Sequence, residues 1–335
     1  MACISYIASY LPETIFPNSK LTELFPEWPS QRIEEKTGIV ERHLAGPEEY
    51  ATDLAVRACQ KLFDSKACKP SEIDFLLVCT QTPEFLFPNT ASILQAKLGL
   101  PQHLGAFDFN LGCSGYVYGL GLAEALLACG QARCVLLVTT DTYSKLLRPE
   151  DKNVRTLFGD GATATLLRPT PLDESSDLGP FVYGTDGSGA ENLICRRGGV
   201  RQAASFDKLA SVTTSWLYMN GPEIFNFTLR VIPDATQRLL QQAKIELEQI
   251  DFFVFHQANA YMLEHLRKKL GLPKEKFYFH LKTTGNTVSS TIPLALENAH
   301  LEGKLKTGDK IMLAGFGVGY SWAATLLRWR AASPI

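Results

Sequence analysis

The chain has 335 residues, of which 45% are hydrophobic, and its formal net charge is −2 at pH 7. This composition excludes a disordered chain, because it supplies enough apolar surface for one large fold or for two domains of ordinary size. Lys and Arg form no basic tract that could neutralise a phosphate backbone, so a nucleic-acid partner is also excluded.

The N-terminal segment MACISYIASYLPETIF lacks the basic start and the continuous apolar stretch of a signal peptide. The longest apolar run, residues 117–129, is interrupted by Glu124 and is too short to span a bilayer. The eight cysteines contain no Cys-x-x-Cys pair, which argues against a structural zinc site and against a disulfide scaffold. We therefore expect a cytoplasmic protein with reduced cysteines, no metal and no membrane contact.

Five landmarks of the first half recur in the same order in the second half. The first series is SEIDFLLVC, a helix ending in KLGLP, GAFDFNLGCSG, a helix ending in LLACG, and ARCVLLVTTD. The second series is EQIDFFVFHQAN, a helix ending in KLGLP, KFYFHLKTTGNTVSS, a helix ending near ENAHLEGKL, and GDKIMLAGFGVG. Asp74 and Asp251 are 177 residues apart, and Gly99 and Gly271 are 172 residues apart. The repeat predicts two related halves.

Short apolar segments alternate with amphipathic helical segments in both halves, which is typical of parallel strands buried on both faces. The predicted fold class is therefore α/β, with duplicated halves covering residues 1–172 and 173–335. The boundary is expected in PTPLDESSDLGP, residues 169–180, where Pro, Ser and acidic residues cluster. The predicted strands are 75–79, 135–138, 162–167, 252–255 and 311–314.

Two segments lie outside the repeat. Residues 22–42 are expected to form a lid-like element, and residues 184–207 are expected on the surface or over a cleft, before a helix that begins near Gly221. Because neither segment belongs to the repeated strands and helices, both are candidates for the walls of a ligand site.

Three chemically suitable side chains occupy strand ends of the repeat. Cys113 and Asn286 are 173 residues apart and fall at equivalent positions, and His256 follows the strand 252–255. Ligands of α/β sheets bind beyond the carboxyl ends of the strands, so an approximate two-fold axis between the halves would bring these three residues into one site. Each residue alone also has an ordinary interpretation, as a small core cysteine, a structural histidine or a turn asparagine.

Cys113 lies at a strand-to-helix junction, where unpaired N–H groups and the helix dipole are expected to lower the pKa of the thiol. Its own N–H, and that of Val318 in the GFGVG segment, are candidate donors to an oxyanion, although the glycines of GFGVG also suit a plain hairpin. GDGATATLL at 159–167 is neither GxGxxG nor a P-loop, so we interpret it as a tight turn that supports the site.

Taken together, the motifs show that the chain resembles the β-ketoacyl-acyl-carrier-protein synthase III group of thiolase-fold condensing enzymes. The resemblance runs essentially from end to end. The matching segments are TGIVERH (37–43), TPEFLFPNTA (82–91), FDFNLGCSGYVYGL (107–120), LFGDGATA (157–164), MNGPEIFNF (219–227), HQAN (256–259), GNT (285–287) and GFGVGYSW (315–322).

The resemblance implies a homodimer with a five-layered αβαβα thiolase-like fold, active in fatty acid or polyketide biosynthesis. Cys113 would accept an acyl group from acyl-CoA or from an acyl carrier protein, and a malonyl thioester would then be condensed with loss of CO₂. His256 and Asn286 would donate hydrogen bonds to the malonyl thioester carbonyl, while the N–H groups of Cys113 and Val318 hold the oxyanion. No metal and no redox cofactor is implied.

Further positions of the family pattern concern the acyl pocket and substrate docking. Phe87 matches the residue that crosses the dimer interface and closes the partner's acyl pocket. The residues matched to docking of CoA or the carrier protein are Trp28, Arg32, Lys36, Gln257 and Tyr261.

Departures from the family pattern concern donor and carrier recognition. Tyr261 and Asn226 stand where the family has basic residues, Arg32 stands where it has an aromatic one, and Val288 to Ser290 stand where smaller residues are usual. Two alternatives stay open: an acyltransferase that acts on the same scaffold without decarboxylation, and an inactive partner subunit of another synthase.

Overall fold

The computed structural model describes residues 2–170, 176–196, 198–199 and 216–330 of the chain. Strands and helices alternate through its first part. The elements before the boundary are β1 (Ala2–Tyr10), β2 (Thr14–Pro17), α1 (Asn18–Leu24), α2 (Ser30–Thr37), β3 (Glu41–Leu44), α3 (Ala51–Asp64), β4 (Phe75–Cys79), α4 (Thr90–Leu98), β5 (Gly105–Phe109), α5 (Gly115–Ala128), β6 (Val135–Asp141), α6 (Lys152–Arg155) and β7 (Gly161–Pro169).

The second part of the chain repeats this alternation with fewer strands. Its described elements are β8 (Leu178–Thr185), β9 (Leu193–Cys195), β10 (Leu217–Met219), α7 (Gly221–Ala243), β11 (Phe252–Phe255), α8 (Ala260–Lys269), α9 (Thr291–Leu301), β12 (Lys310–Gly317) and β13 (Ser321–Arg328). All five predicted strands are present, and the helix predicted near Gly221 begins at that residue. Residues 22–42 hold the end of α1, all of α2 and the start of β3, with the loops between them. Residues 197 and 200–207 of the second predicted cleft segment lie outside the described residues.

The two main sheets have matching strand orders. The first is β1-β7-β6-β4-β5 and the second, read from its other edge, is β8-β13-β12-β11. In each sheet the strand that follows the repeated Ile-Asp-Phe motif pairs in parallel with its neighbour: β4 with β6, and β11 with β12. The strand beyond that neighbour, β7 or β13, is antiparallel to it. The counterpart of β5 in the second sheet is reduced to a single bridge between Phe253 and Phe277.

Three hydrophobic clusters divide the molecule into five layers. One cluster packs α3 and α4 on the outer face of the first sheet, and another packs α7 and α8 on the outer face of the second. The third contains α5 and α9 between the two sheets, so these helices are covered on both sides. The predicted α/β class with duplicated halves and an αβαβα arrangement is therefore confirmed. The division at residues 172 and 173 stays a prediction, although β7 ends before it and β8 begins after it in a different sheet.

Buried hydroxyl pairs join the two halves of the chain near the strand ends. Ser114 Oγ lies 2.6 Å from Ser321 Oγ, and Thr139 Oγ1 lies 2.9 Å from Ser290 Oγ. Each pair links a residue before the boundary with one after it. Because buried hydroxyl groups need hydrogen-bond partners, each pair favours contact between the two halves. Among the described residues, no helix combines the length and the apolar character that crossing a membrane requires.

Replacement of one leucine between the sheets tests this packing. Leu137 of β6 is fully buried against Gly119 of α5, where a Cβ atom would lie 2.6 Å from Leu137 Cδ1. Leu137→Ala should lower the free energy of unfolding by about 2–5 kcal/mol, measured by urea denaturation, because it leaves a cavity in a close-packed layer. The matched change Leu301→Ala, at a side chain that is 74% exposed, should alter it by no more than about 0.5 kcal/mol. Equal effects of the two changes would contradict the layered packing.

Candidate active site

A cavity of about 460 Å³ opens at the strand ends and brings three predicted residues together. Cys113, His256 and Asn286 all line it. Their positions follow from the repeat: Cys113 lies between β5 and α5, His256 follows β11, and Asn286 precedes α9. Much of the remaining wall is apolar, and the side chains that form it include Leu157, Phe158, Leu193, Ile224, Met262 and Phe316.

Cys113 is held in a tight turn against the end of β12. The N–H of Gly115 donates to the carbonyl of Gly112 at 2.7 Å, which closes the turn just before helix α5 begins. A Cβ atom at Gly317 would lie 2.8 Å from Cys113 Sγ, so the strand passes the thiol at a distance that only glycine permits. The sulfur therefore sits between the helix start and the β12 to β13 hairpin that contains Val318.

Burial raises the pKa of the Cys113 thiol to about 12, and the nearby Asp141 carboxylate adds to this effect. The backbone N–H groups of Cys113 and Val318 act in the opposite direction and lower the pKa. The expectation that the helix start lowers the pKa is wrong for the resting protein. Helix α5 begins two residues later, at Gly115, and removal of water from the thiol outweighs the effect of these two N–H groups. The two N–H groups are nevertheless those predicted for the oxyanion.

His256 is a buried, neutral imidazole. Its main-chain N–H donates to the main-chain carbonyl of Ala314 at 2.8 Å. Its ring meets the Phe316 ring edge-on at a centroid distance of 5.5 Å. Nδ1 lies 2.7 Å from Thr291 Oγ1. Burial lowers the pKa of His256 to about 3, so the ring carries a single proton at neutral pH.

Asn286 is fixed by main-chain bonds on both sides. Its N–H donates to the carbonyl of Leu157 at 2.9 Å, and its carbonyl accepts from the N–H of Gly159 at 3.1 Å. The side-chain Oδ1 accepts from the N–H of Val288 at 2.9 Å, which leaves the amide NH₂ for the cavity. A Cβ atom at Gly159 would lie 2.5 Å from the carbonyl oxygen of Thr284, so the GDG segment packs directly beneath the asparagine.

Asp141 does not line the cavity, but it influences the Cys113 thiol and was missed by sequence reasoning. It ends β6, is fully buried, and its carboxylate accepts from the Gln81 N–H at 2.8 Å and from Ser289 Oγ at 2.7 Å. Burial raises the pKa of this carboxyl to about 7, while these hydrogen bonds lower it. The signal was available, because an acidic residue at the carboxyl end of an apolar strand lies where α/β sheets bind ligands.

Of the predicted docking residues, Gln257 is contradicted by the structure. It is fully buried, and its amide donates to the carbonyls of Phe255 at 2.6 Å and Tyr278 at 3.2 Å. Its Oε1 accepts from the N–H of His280 at 2.6 Å, so the side chain ties the HQAN turn to the neighbouring loop. A group with all its hydrogen bonds made inside the protein cannot also bind a carrier at the surface.

Trp28, Arg32 and Lys36 lie together on α2 and the loop before it. The guanidinium of Arg32 and the ammonium of Lys36 each lie 5.4 Å from the Trp28 ring centroid. Lys152 of α6 approaches the same ring at 5.5 Å. Lys152 is also paired with Glu27 at 2.8 Å. The surface at Trp28 therefore combines an aromatic face with a net excess of cations, which suits an anionic ligand that carries a flat ring.

Tyr261 and Phe87 are both exposed. Tyr261 packs against Phe225 and His265 and borders a second depression of about 340 Å³ together with Asn226. Phe87 is 84% exposed and forms an apolar loop tip with the exposed Phe85 and Leu86, so it is not an ordinary buried aromatic. Within the described residues, no three His, Cys, Asp or Glu side chains are grouped so that they could hold a metal ion.

Comparisons with known proteins extend these observations along the chain. The family model for 3-oxoacyl-[acyl-carrier-protein] synthase III matches residues 107–187, and the model of its C-terminal region matches residues 240–329. The chain is 36% identical to a β-ketoacyl-[acyl-carrier-protein] synthase III of Caldanaerobacter subterraneus subsp. tengcongensis, with 96% of each chain covered.

A second relative and a solved structure agree with this match. The β-ketoacyl-[acyl-carrier-protein] synthase III 2 of Halalkalibacterium halodurans is 37% identical, and the alignment covers 98% of this chain and 96% of the relative. The crystal structure of a 3-oxoacyl-(acyl-carrier-protein) synthase III is 50% identical, covers 98% of this chain and 99% of its own, and superimposes with a TM-score of 0.94. Sequence and backbone are therefore similar over almost the whole length.

The space around the sulfur can be tested with a single methyl group. Gly317→Ala should reduce labelling of Cys113 by methyl methanethiosulfonate at least tenfold, because a Cβ atom would lie 2.8 Å from both Sγ and Cβ of Cys113 and must displace the thiol. The extent of labelling is measured by peptide mass spectrometry. Gly187→Ala is the matched control, since a Cβ atom there meets nothing within 4 Å. Unchanged labelling in Gly317→Ala would show that the thiol has room that the structure denies.

The charge of Asp141 should appear in the pH dependence of Cys113 reactivity. Above its pKa of about 7 the Asp141 carboxylate is ionised and raises the pKa of the thiol, so Asp141→Asn should increase the thiolate fraction there. At about pH 8.5 we expect Cys113 to react roughly tenfold faster in the variant, the effect of one pKa unit. Well below the pKa, at about pH 5.5, Asp141 is protonated in both proteins and the rates should converge. A rate ratio that is the same at both pH values would indicate a structural effect instead.

Proposed function

The chain belongs to the 3-oxoacyl-[acyl-carrier-protein] synthase III family of condensing enzymes, and from this premise we propose how its residues divide the work. Cys113 is the nucleophile, and His256 and Asn286 are the donors to the developing enolate. The N–H groups of Cys113 and Val318 form the oxyanion hole. The observation that carries the proposal is that one cavity is lined by the thiol, the neutral imidazole and the carboxamide.

In the first half-reaction, Cys113 Sγ attacks the carbonyl carbon of an acyl thioester. The new C–S bond forms as the thioester C–S bond breaks, and the thiol proton leaves with the departing thiol. Negative charge on the tetrahedral oxygen is stabilised by the N–H groups of Cys113 and Val318, which also favour negative charge on the sulfur. Because the resting thiol is protonated, its proton is transferred to the leaving group of the substrate as Sγ attacks the carbonyl carbon.

In the second half-reaction, a malonyl thioester loses CO₂, and the electron pair of the broken C–C bond moves into an enolate. The ring N–H of His256 and the NH₂ of Asn286 donate to the enolate oxygen, and the enolate carbon attacks the acyl group on Cys113. The thioester C–S bond to Cys113 then breaks and the thiolate takes up a proton. A neutral imidazole suits this role, since it donates a hydrogen bond without a counter-charge in a buried site.

Substrate and assembly follow as further parts of the proposal. The donor is an acyl-CoA or an acyl carrier protein thioester, and the apolar cavity walls suit an acyl chain. The three cations around Trp28 suit the phosphates and the ring of a CoA donor, while the family's cations at 226 and 261 are replaced by Asn226 and Tyr261. The exposed Phe87 supports a homodimer in which this residue closes the partner's pocket.

Single substitutions can separate the two half-reactions. Cys113→Ala should abolish acylation by acyl-CoA, measured as the mass increase of the intact protein. His256→Ala and Asn286→Ala should keep acylation but slow CO₂ release from malonyl thioester by about 10²-fold or more, because each removes a donor from the developing charge.

His103→Ala serves as the control, because His103 is exposed and does not line the cavity. An equal loss of both half-reactions in Asn286→Ala would contradict the division of labour. Acylation of the wild-type protein without any CO₂ release from malonyl thioester would instead favour an acyltransferase that does not decarboxylate.

A further inference from the structure

Residues 287–291, which run from the residue after Asn286 to the first residue of α9, form hydrogen bonds with both proposed donors. Building on the proposed function, we propose that Thr291 is a positioning residue: its hydroxyl donates to Nδ1 of His256 and thereby keeps the ring proton on Nε2, which faces the cavity. Thr291 does not line the cavity, so it acts on the reaction only through the imidazole.

The assignment follows from counting protons. Thr291 Oγ1 lies 2.7 Å from His256 Nδ1 and 3.1 Å from the carbonyl oxygen of Val288, but the hydroxyl has one proton for these two acceptors. If it donates to Nδ1, the single ring proton must be on Nε2. If it donates to Val288, Nδ1 must carry the ring proton to keep its contact, and Nε2 presents a lone pair.

These two arrangements support different chemistry. A proton on Nε2 makes His256 a donor that stabilises an enolate, whereas a lone pair on Nε2 makes it a base that could activate water, an alcohol or an amine against acyl-Cys113. The tautomer therefore separates a decarboxylating condensing enzyme from an acyltransferase or a thioesterase on the same scaffold.

Two observations favour the donor arrangement. The distance from Thr291 Oγ1 to Nδ1 is the shorter of the two. Thr291 is the first residue of the eleven-residue helix α9, whose positive end favours a lone pair at Nδ1 over a second N–H dipole. Both His256 and Thr291 are buried, so bulk water cannot compensate for a mismatch, and these contacts set the tautomer.

The same turn also orients the second donor. Val288 has φ of +56°, a conformation that a β-branched residue rarely adopts, and its N–H meets Asn286 Oδ1 at 2.9 Å. This bond directs the Asn286 NH₂ towards the cavity. One short segment thus sets both groups to donate, Asn286 through the peptide of Val288 and His256 through the hydroxyl of Thr291.

Nitrogen NMR of the ring can test the assignment without any substrate. The chain has six histidines, so protein with ¹⁵N-labelled imidazoles gives few signals, and the His256 signals are those lost in His256→Ala. We expect a protonated Nε2 and an unprotonated Nδ1 that accepts a hydrogen bond. In Thr291→Val the Nδ1 signal should move to the position of a ring nitrogen without a hydrogen bond, and in Thr291→Ser it should stay. A protonated Nδ1 in the wild type would overturn the proposal.

Activity provides a second, separate measurement. Thr291→Val should slow CO₂ release about tenfold, the effect of one lost hydrogen bond of about 1.4 kcal/mol, with Cys113 acylation within about twofold of wild type. Thr291→Ser should restore the rate, and Thr185→Val, at an exposed position in β8, should not change it. Full CO₂ release in Thr291→Val would overturn the positioning role. A wild-type protein that releases no CO₂ would refute the proposed function, yet the NMR result would still decide the tautomer.

Discussion

The close approach of β12 to the turn around Cys113 is the contact on which the site depends. Cβ atoms at Gly315 and Gly317 would lie 2.7 Å from the Cys113 carbonyl oxygen and 2.8 Å from its sulfur. Because neither glycine has a side chain, the second sheet can reach the Cys113 thiol carried by the first, and the Ser114 to Ser321 bond closes the junction beside it. A larger residue at either position would push apart the two surfaces that form the cavity.

Burial gives this site its electrostatic character. It raises the pKa of Cys113 to about 12, lowers that of His256 to about 3 and brings that of Asp141 to about 7. A resting site with a protonated thiol and a neutral imidazole relies on oriented dipoles, namely N–H groups and a carboxamide, and not on fixed charges. In such a site the direction of each hydrogen bond matters as much as the identity of the side chain. The proposed role of residues 286–291, to orient His256 and Asn286 as hydrogen-bond donors, follows from this.

Much of this arrangement could be predicted from the sequence, because the duplication is written in the spacing of its motifs. The strand 252–255, the α/β layers and the meeting of Cys113 with His256 and Asn286 follow from that pattern and from the strand-end rule. Properties set by contacts between distant segments could not be predicted. The buried hydrogen bonds of Gln257 and the desolvation of Cys113 depend on packing that local sequence does not encode, and Asp141 was overlooked although its strand-end position marked it.

The loop tip formed by Phe85, Leu86 and Phe87 turns three consecutive apolar side chains towards water in the single chain. Exposure of apolar side chains to water is unfavourable, and their burial against a second copy would be favourable. If the loop does seat on another copy, as proposed, then stability obeys mass action and dilution weakens the folded state. The concentration of folded dimer would then increase more than in proportion to the total concentration of the chain.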